Sequence, residues 1–150
     1  MYEYPEYIEK LINRFRQLPG IGRRGAERVV LDLLDWAPER VEDFGETLRD
    51  MPQAVGFCPE CGAYCRRGEL CTVCSDPKRT PATICVVETT NQLAAIEAGG
   101  RYEGRYLVLG GHLSPIDREM GEGLNLDLLK RKAFSSEVKE VILSLGSDVE

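Results

Sequence analysis

Four cysteines constrain this chain more than any other feature. Cys58-Pro59-Glu60-Cys61 and Cys71-Thr72-Val73-Cys74 form the pattern C-x2-C-x9-C-x2-C, two short knuckles whose thiolates can converge on one tetrahedral ion. Four protein ligands leave the ion no open position for water. The spacing therefore predicts one structural zinc supporting a segment too poor in apolar residues to hold itself together. Cys65 breaks the paired symmetry and is expected to be a spectator, and Cys85 lies in an apolar run and is expected in the core.

Composition agrees with metal rather than disulfides. The N-terminal Met1-Tyr2-Glu3-Tyr4-Pro5-Glu6 has neither the basic start nor the apolar stretch of a secretory signal, so a reducing cytoplasm is the expected location. No apolar run approaches the length of a membrane span, and no membrane partner is expected. At 150 residues the chain has room for two or three small modules.

The net charge of −6 opposes a uniformly basic surface, yet Lys10, Arg14, Arg16, Arg23, Arg24 and Arg28 face only Glu27 between positions 10 and 28, a local charge of +5. Any contact with nucleic acid is expected there. Ile8, Leu11, Ile12, Phe15 and Leu18 recur at helical spacing, as do Ala26, Val29, Val30, Leu33 and Leu34, and Pro19-Gly20-Ile21-Gly22 joins them as a tight turn. A third helix is expected from Pro38, carrying Val41, Phe44 and Leu48.

Residues 57–77 lose helical periodicity and read as a loop-rich insert. Beyond it, Ile84-Cys85-Val86-Val87, Tyr106-Leu107-Val108-Leu109 and Val138 to Leu145 read as strands, alternating with helices through Leu93 and Ile96 and from Leu126 to Phe134. Strand, helix, strand, helix, strand implies a parallel sheet. The chain stops just past the third strand, so the sheet is expected to be incomplete at its C-terminus, with an apolar edge prone to aggregation or unnatural pairing.

The segment Leu18 to Ala26 looks like a helix-hairpin-helix motif, in which Gly20 and Gly22 let the backbone approach a sugar-phosphate chain and Arg23, Arg24 and Arg28 supply charge. Glu88 at the end of the first strand, with Asp148 and Glu150 after the third, resembles the Toprim arrangement that holds Mg²⁺. Against the pattern Asp-x-Asp-x-Glu, Gly146 replaces the first aspartate, so a docking platform is favoured over catalysis. His112, between Gly110-Gly111 and Ser114-Pro115, is read as structural or as part of a subunit contact.

The order of hairpin, four-cysteine knuckle and Toprim segment resembles the RecR family of bacterial recombination mediators. The resemblance runs through Leu18 to Val30, Cys58 to Cys74, Ile84 to Glu88, Val108 to Asp117 and Gly123 to Leu126. It implies an α+β multi-module protein: a helix-hairpin-helix DNA-binding module over 1–56, a four-cysteine zinc-finger module over 57–78, and a partial α/β Toprim domain over 79–150. It implies no enzymatic activity, but binding to gapped DNA or single/double-strand junctions and cooperation with RecO and RecF in loading RecA. It further implies assembly of the full-length protein as a homodimer or ring-like tetramer, and partner contact near Glu88. Two rivals stand beside this reading: a Mg²⁺-dependent Toprim nuclease or topoisomerase-like enzyme, and a zinc-containing protein-interaction module with no DNA role.

Overall fold

The computed structural model describes residues 3–111 and 123–146, and the chain divides into two compact units, Met1–Asp50 and Met51–Glu150. In the first, α1 (Glu6–Phe15) and α2 (Arg23–Leu34) pack through a small core of Ile12, Ala26 and Val30, with Tyr4, Ile8, Phe15 and Ile21 around it. Ala26 lets the helices approach closely, and the Tyr4 hydroxyl donates to Glu27 Oε1 at 2.7 Å, tying the segment before α1 to α2. Gly20 turns the chain at φ +79°, where a side chain is strained, and Ile21 N–H closes the turn on the Leu18 carbonyl at 3.2 Å.

The third helix, α3 (Pro38–Ala54), forms from the expected Pro38 but contributes nothing to this core. Val41, Phe44 and Leu48 all stay exposed, as does Leu11 of α1. Helical spacing identified their shared face, of which only Phe44 finds a ring partner among the described residues, the Trp36 ring packing edge-on at 5.9 Å. The C-terminal carbonyls of α3 are satisfied by Arg67, which donates to Pro52 O at 2.6 Å and Gln53 O at 2.9 Å.

In the second unit a short antiparallel hairpin, β1 (Val55–Phe57) with β2 (Tyr64–Arg66), frames the first cysteine knuckle. This adds two short strands to the loop-rich insert expected over 57–77, three residues per strand being too few to show a period in sequence. A parallel sheet follows, with β3 (Thr83–Val87) central, β4 (Arg105–Val108) on one side and β5 (Glu140–Ser144) on the other. α4 (Thr90–Ala98) connects β3 to β4, and α5 (Leu126–Ala133) precedes β5.

Alternation along β3 and β4 separates two layers. Cys85, Val87, Tyr106 and Val108 face the cysteine knuckle and Leu93 of α4, while Ile84, Val86, Leu107 and Leu109 pack with Leu126, Leu128 and Leu129 of α5. β5 is less protected, and Leu143 is 65% exposed. α4 starts with a capping box in which Gln92 N–H donates to Thr89 Oγ1 at 3.3 Å and Thr89 N–H donates to Gln92 Oε1 at 3.3 Å.

Arg79 pairs with Glu97, donates to the Tyr102 carbonyl at 2.8 Å and lies 3.6 Å from Asp76, so it fastens the segment before β3 to α4. The Arg79 guanidinium, with help from the Tyr106 hydroxyl, holds the Glu97 carboxyl below its ordinary value of 4.5. The sign follows from linkage: a depressed folded value stabilises the fold above pH 4.5 and loses that contribution as pH falls through the folded value. Two outcomes are expected. Ile12→Ala, which removes most of the central side chain of a very small core, destabilises the first unit by about 2–4 kcal/mol in denaturant unfolding. Glu97→Gln flattens the acid limb of the stability profile below pH 4.5, measured by the melting temperature of the second unit.

Candidate metal centre and nucleic-acid interface

The sulfurs of Cys58, Cys61, Cys71 and Cys74 all lie within 4.8 Å of one another, the separation four ligands around a single ion require. Cys58, Cys61 and Cys71 are buried and Cys74 is partly buried. Backbone donors reinforce the cluster: Cys71 N–H points to Cys58 Sγ at 3.4 Å and Cys74 N–H to Cys71 Sγ at 3.4 Å. Such N–H groups stabilise thiolate charge in the same manner as the outer shell of a bound metal.

Protonation is divided unequally among the four. Thiol hydrogen bonding from Cys61, then from Cys71 and Cys58, with Lys132 adding positive charge, draws Cys74 down to about 6 against the opposing effect of burial. Cys61 moves strongly upward, first because it donates to Cys74 and then because it is buried; burial also raises Cys71. The protein alone thus favours a thiolate at Cys74 and resists one at Cys61 and Cys71. A divalent cation removes that conflict by supplying the charge around which all four deprotonate. The donor set fits such an ion. Cys65 lies outside the cluster, its Sγ directed to the Glu69 carbonyl at 3.2 Å, and Cys85 is a core residue of β3.

The knuckle is fastened to the sheet by its backbone. Gly62 adopts φ +77°, and a Cβ there would come within 2.8 Å of the Val108 carbonyl and 2.5 Å of Asn125 Nδ2. The adjacent Cys61 carbonyl accepts from Val108 N–H at 2.7 Å, and Lys132 of α5 pairs with Glu60. Asn125, Lys132 and Gly62 escaped sequence reading because each acts through a long-range contact. The Thr89-x-x-Gln92 capping box was in principle visible as a local pattern.

Glu88 lies at the carboxyl end of β3, the central strand, flanked by β4 and β5. It is 5% exposed, unlike an ordinary strand-end acid. Its Oε2 accepts from Gln92 Nε2 at 3.0 Å, and its own N–H donates to Gln92 Oε1 at 2.7 Å. Asp148, Glu150 and His112 lie outside the described residues.

In the first unit, Gly20, Gly22, Arg23, Arg24 and Arg28 come together at the turn and the first turns of α2. Gly22 is the N-cap, with extended backbone and no side-chain cap, and a Cβ at Gly20 or Gly22 would meet nothing within 4 Å. The start of α2 therefore presents uncapped N–H groups beside open surface, an anion-binding geometry. All three arginines are exposed. Arg23 is drawn to Glu9 at 3.2 Å, a surface pair weak enough for a phosphate to displace, whereas Arg24 and Arg28 have no ion pair among the described residues.

Sequence comparison matches residues 8–51 to the family described as RecR, helix-hairpin-helix, and residues 82–150 to the Toprim domain. Recombination protein RecR of Nitratidesulfovibrio vulgaris is 35% identical over 150 residues, covering 100% of this chain and 74% of that protein. The Lactobacillus acidophilus protein of the same name is 42% identical over 149 residues, 99% of this chain and 74% of its own length. The chain belongs to the RecR family. A further RecR, from Maricaulis maris, is 41% identical over 143 residues, 95% of this chain and 71% of its own length. The hairpin, the four-cysteine cluster and the parallel Toprim sheet expected from the RecR resemblance are all present.

Because the four sulfurs belong to the packed layer over β3 and β4, metal removal is expected to unfold more than the knuckle. Chelation, or Cys71→Ser, should lower the melting temperature of the second unit and weaken hydrogen-exchange protection along β4, while the α1–α2 unit retains its own protection. Protection of β4 that survives complete metal removal would show the knuckle to be dispensable.

Proposed function

We propose that this chain is a DNA-binding recombination mediator, a scaffold and not an enzyme, that acts with RecO and RecF to promote RecA loading in recombinational repair in the bacterial cytoplasm. Labour is divided among three modules: 1–56 grips DNA, 57–78 holds one structural zinc through Cys58, Cys61, Cys71 and Cys74, and 79–150 offers the Toprim surface near Glu88 to RecO or RecF. The full-length protein forms a homodimer or a ring-like tetramer suited to gapped DNA and junctions. The observation that carries this reading is the hairpin itself, where an uncapped helix start, two glycines opening onto empty surface and three exposed arginines meet in an otherwise acidic chain.

Contacts of that kind position phosphates without reading bases, as a mediator working at any gap requires. Support for a non-catalytic Toprim comes from Glu88, whose carboxylate is buried and bonded to Gln92, and from Gly146 in place of an acidic residue. The nuclease alternative requires Mg²⁺-dependent cleavage abolished by Glu88→Ala.

The test is binding to gapped DNA across a salt series. The wild type is expected to bind with a steep inverse dependence on salt. Arg23→Ala with Arg24→Ala should weaken binding by at least about tenfold near physiological salt and make the slope of log K against log salt shallower by about two. Unchanged affinity and slope would remove the hairpin from the DNA interface and leave the protein-interaction reading.

A further inference from the structure

The cysteine knuckle does more than hold a metal: it carries an aromatic platform. Phe57, next to the ligand Cys58, stands opposite Tyr64 across the β1–β2 ladder, and their rings stack with centroids 5.3 Å apart and planes inclined by 28°. Both remain largely in solvent, Phe57 at 68% exposure and Tyr64 at 60%. A stacked aromatic pair that buries so little of itself contributes little to the hydrophobic core; its remaining ring surface is free for a ligand.

The platform is held firmly. Tyr64 N–H donates to Thr90 Oγ1 at 3.3 Å, and Arg67, just beyond β2, is bound to the carbonyls that end α3. The rings line a cleft of about 730 Å³ together with Thr90, Asn91, Asn125, Asp127 and Arg131. Its volume is that of a small-ligand site, and its wall is not an apolar groove, since hydroxyl, carboxamide and guanidinium groups accompany the two rings. An apolar anchor from a protein would strand those groups; a nucleobase, with a π-face and a polar edge, suits both the rings and the Asn91 carboxamide, the Asn125 amide nitrogen being held by the Val108 carbonyl at 2.8 Å, and its phosphate is drawn to Arg131 against the opposing charge of Asp127.

We propose that the Phe57–Tyr64 platform and its cleft bind an unpaired nucleobase of single-stranded DNA. This is a second nucleic-acid site, distinct in chemistry from the hairpin: the hairpin takes phosphates of either strand form, whereas the platform requires a base face that only an unstacked, unpaired nucleotide presents. A chain with both contacts distinguishes a gap from continuous duplex without reading sequence.

The experiment compares binding of the whole zinc-loaded chain to an oligothymidylate of about 15 nucleotides and to a duplex of equal length. The variants are Phe57→Ala/Tyr64→Ala, Tyr64→Phe and Arg23→Ala/Arg24→Ala, each checked for zinc content and melting temperature. The double aromatic variant is expected to lose at least about tenfold in affinity for the oligothymidylate while keeping its duplex affinity. Tyr64→Phe retains both, and the arginine variant loses both. Equal oligothymidylate binding by the wild type and the aromatic variant overturns the proposal and leaves the cleft to a protein contact. Absence of oligothymidylate binding by the wild type overturns it too, while duplex binding lost in the arginine variant alone leaves the hairpin assignment standing. Should the double variant lose zinc or stability, Tyr64→Ala alone, whose ring is 60% exposed, decides the point by the same comparison.

Discussion

The second unit depends on a contact between a peptide carbonyl and a strand edge. β4 is an outer strand of the parallel sheet, and such an edge exposes backbone donors that pair with something or invite association. Here the Cys61 carbonyl takes the Val108 N–H, and the knuckle that carries it spreads over the same face of the sheet as α4. The cysteines are consequently core residues as well as a cluster able to hold a metal: Cys58, Cys61 and Cys71 belong to one packed cluster with Cys85, Val87, Tyr106 and Val108. Four thiolates inside a core are tolerable only if their charge is met; the N–H groups at Cys71 and Cys74 and the nearby Lys132 ammonium meet part of it, and a cation held by the four sulfurs would meet the rest.

The first unit solves the opposite problem. Its core is three buried residues, Ile12, Ala26 and Val30, and so small a core leaves most of the surface of α1 and α2 uncommitted. That surface is where the charge accumulates. A net charge of −6 for the whole chain hides a cluster of six cations over nineteen positions, and the start of α2 adds the partial positive charge of its unpaired N–H groups to them. Local arrangement decides what the surface attracts, and the net value does not.

What could be read in advance follows the range of the physics involved. The α1 and α2 faces, the turn at Gly20, the knuckle spacing and the strands Ile84–Val87 and Tyr106–Leu109 are set by residues close in sequence, and each was legible there. The position of the knuckle on β4 was not, because it depends on Gly62 approaching Val108 and Asn125 across many residues. The β1–β2 hairpin escaped because three residues per strand establish no alternation. α3 shows the converse: Val41, Phe44 and Leu48 carry a sound helical period, yet period alone cannot say whether a face finds a partner.

Glu88 is held where the central strand meets the next helix. Its place at the carboxyl end of the central strand, flanked by β4 and β5, is where open α/β sheets gather ligand-binding groups. A carboxylate can bind a cation through one oxygen or through both. In this chain Gln92 takes one of those oxygens with its amide nitrogen, while its amide oxygen receives the N–H groups of Glu88 and Thr89. One glutamine therefore binds the acid and caps α4 at once. A substitution at either position disturbs the helix start as well as the strand end. The carboxylate is fixed by the same glutamine that fixes the backbone around it.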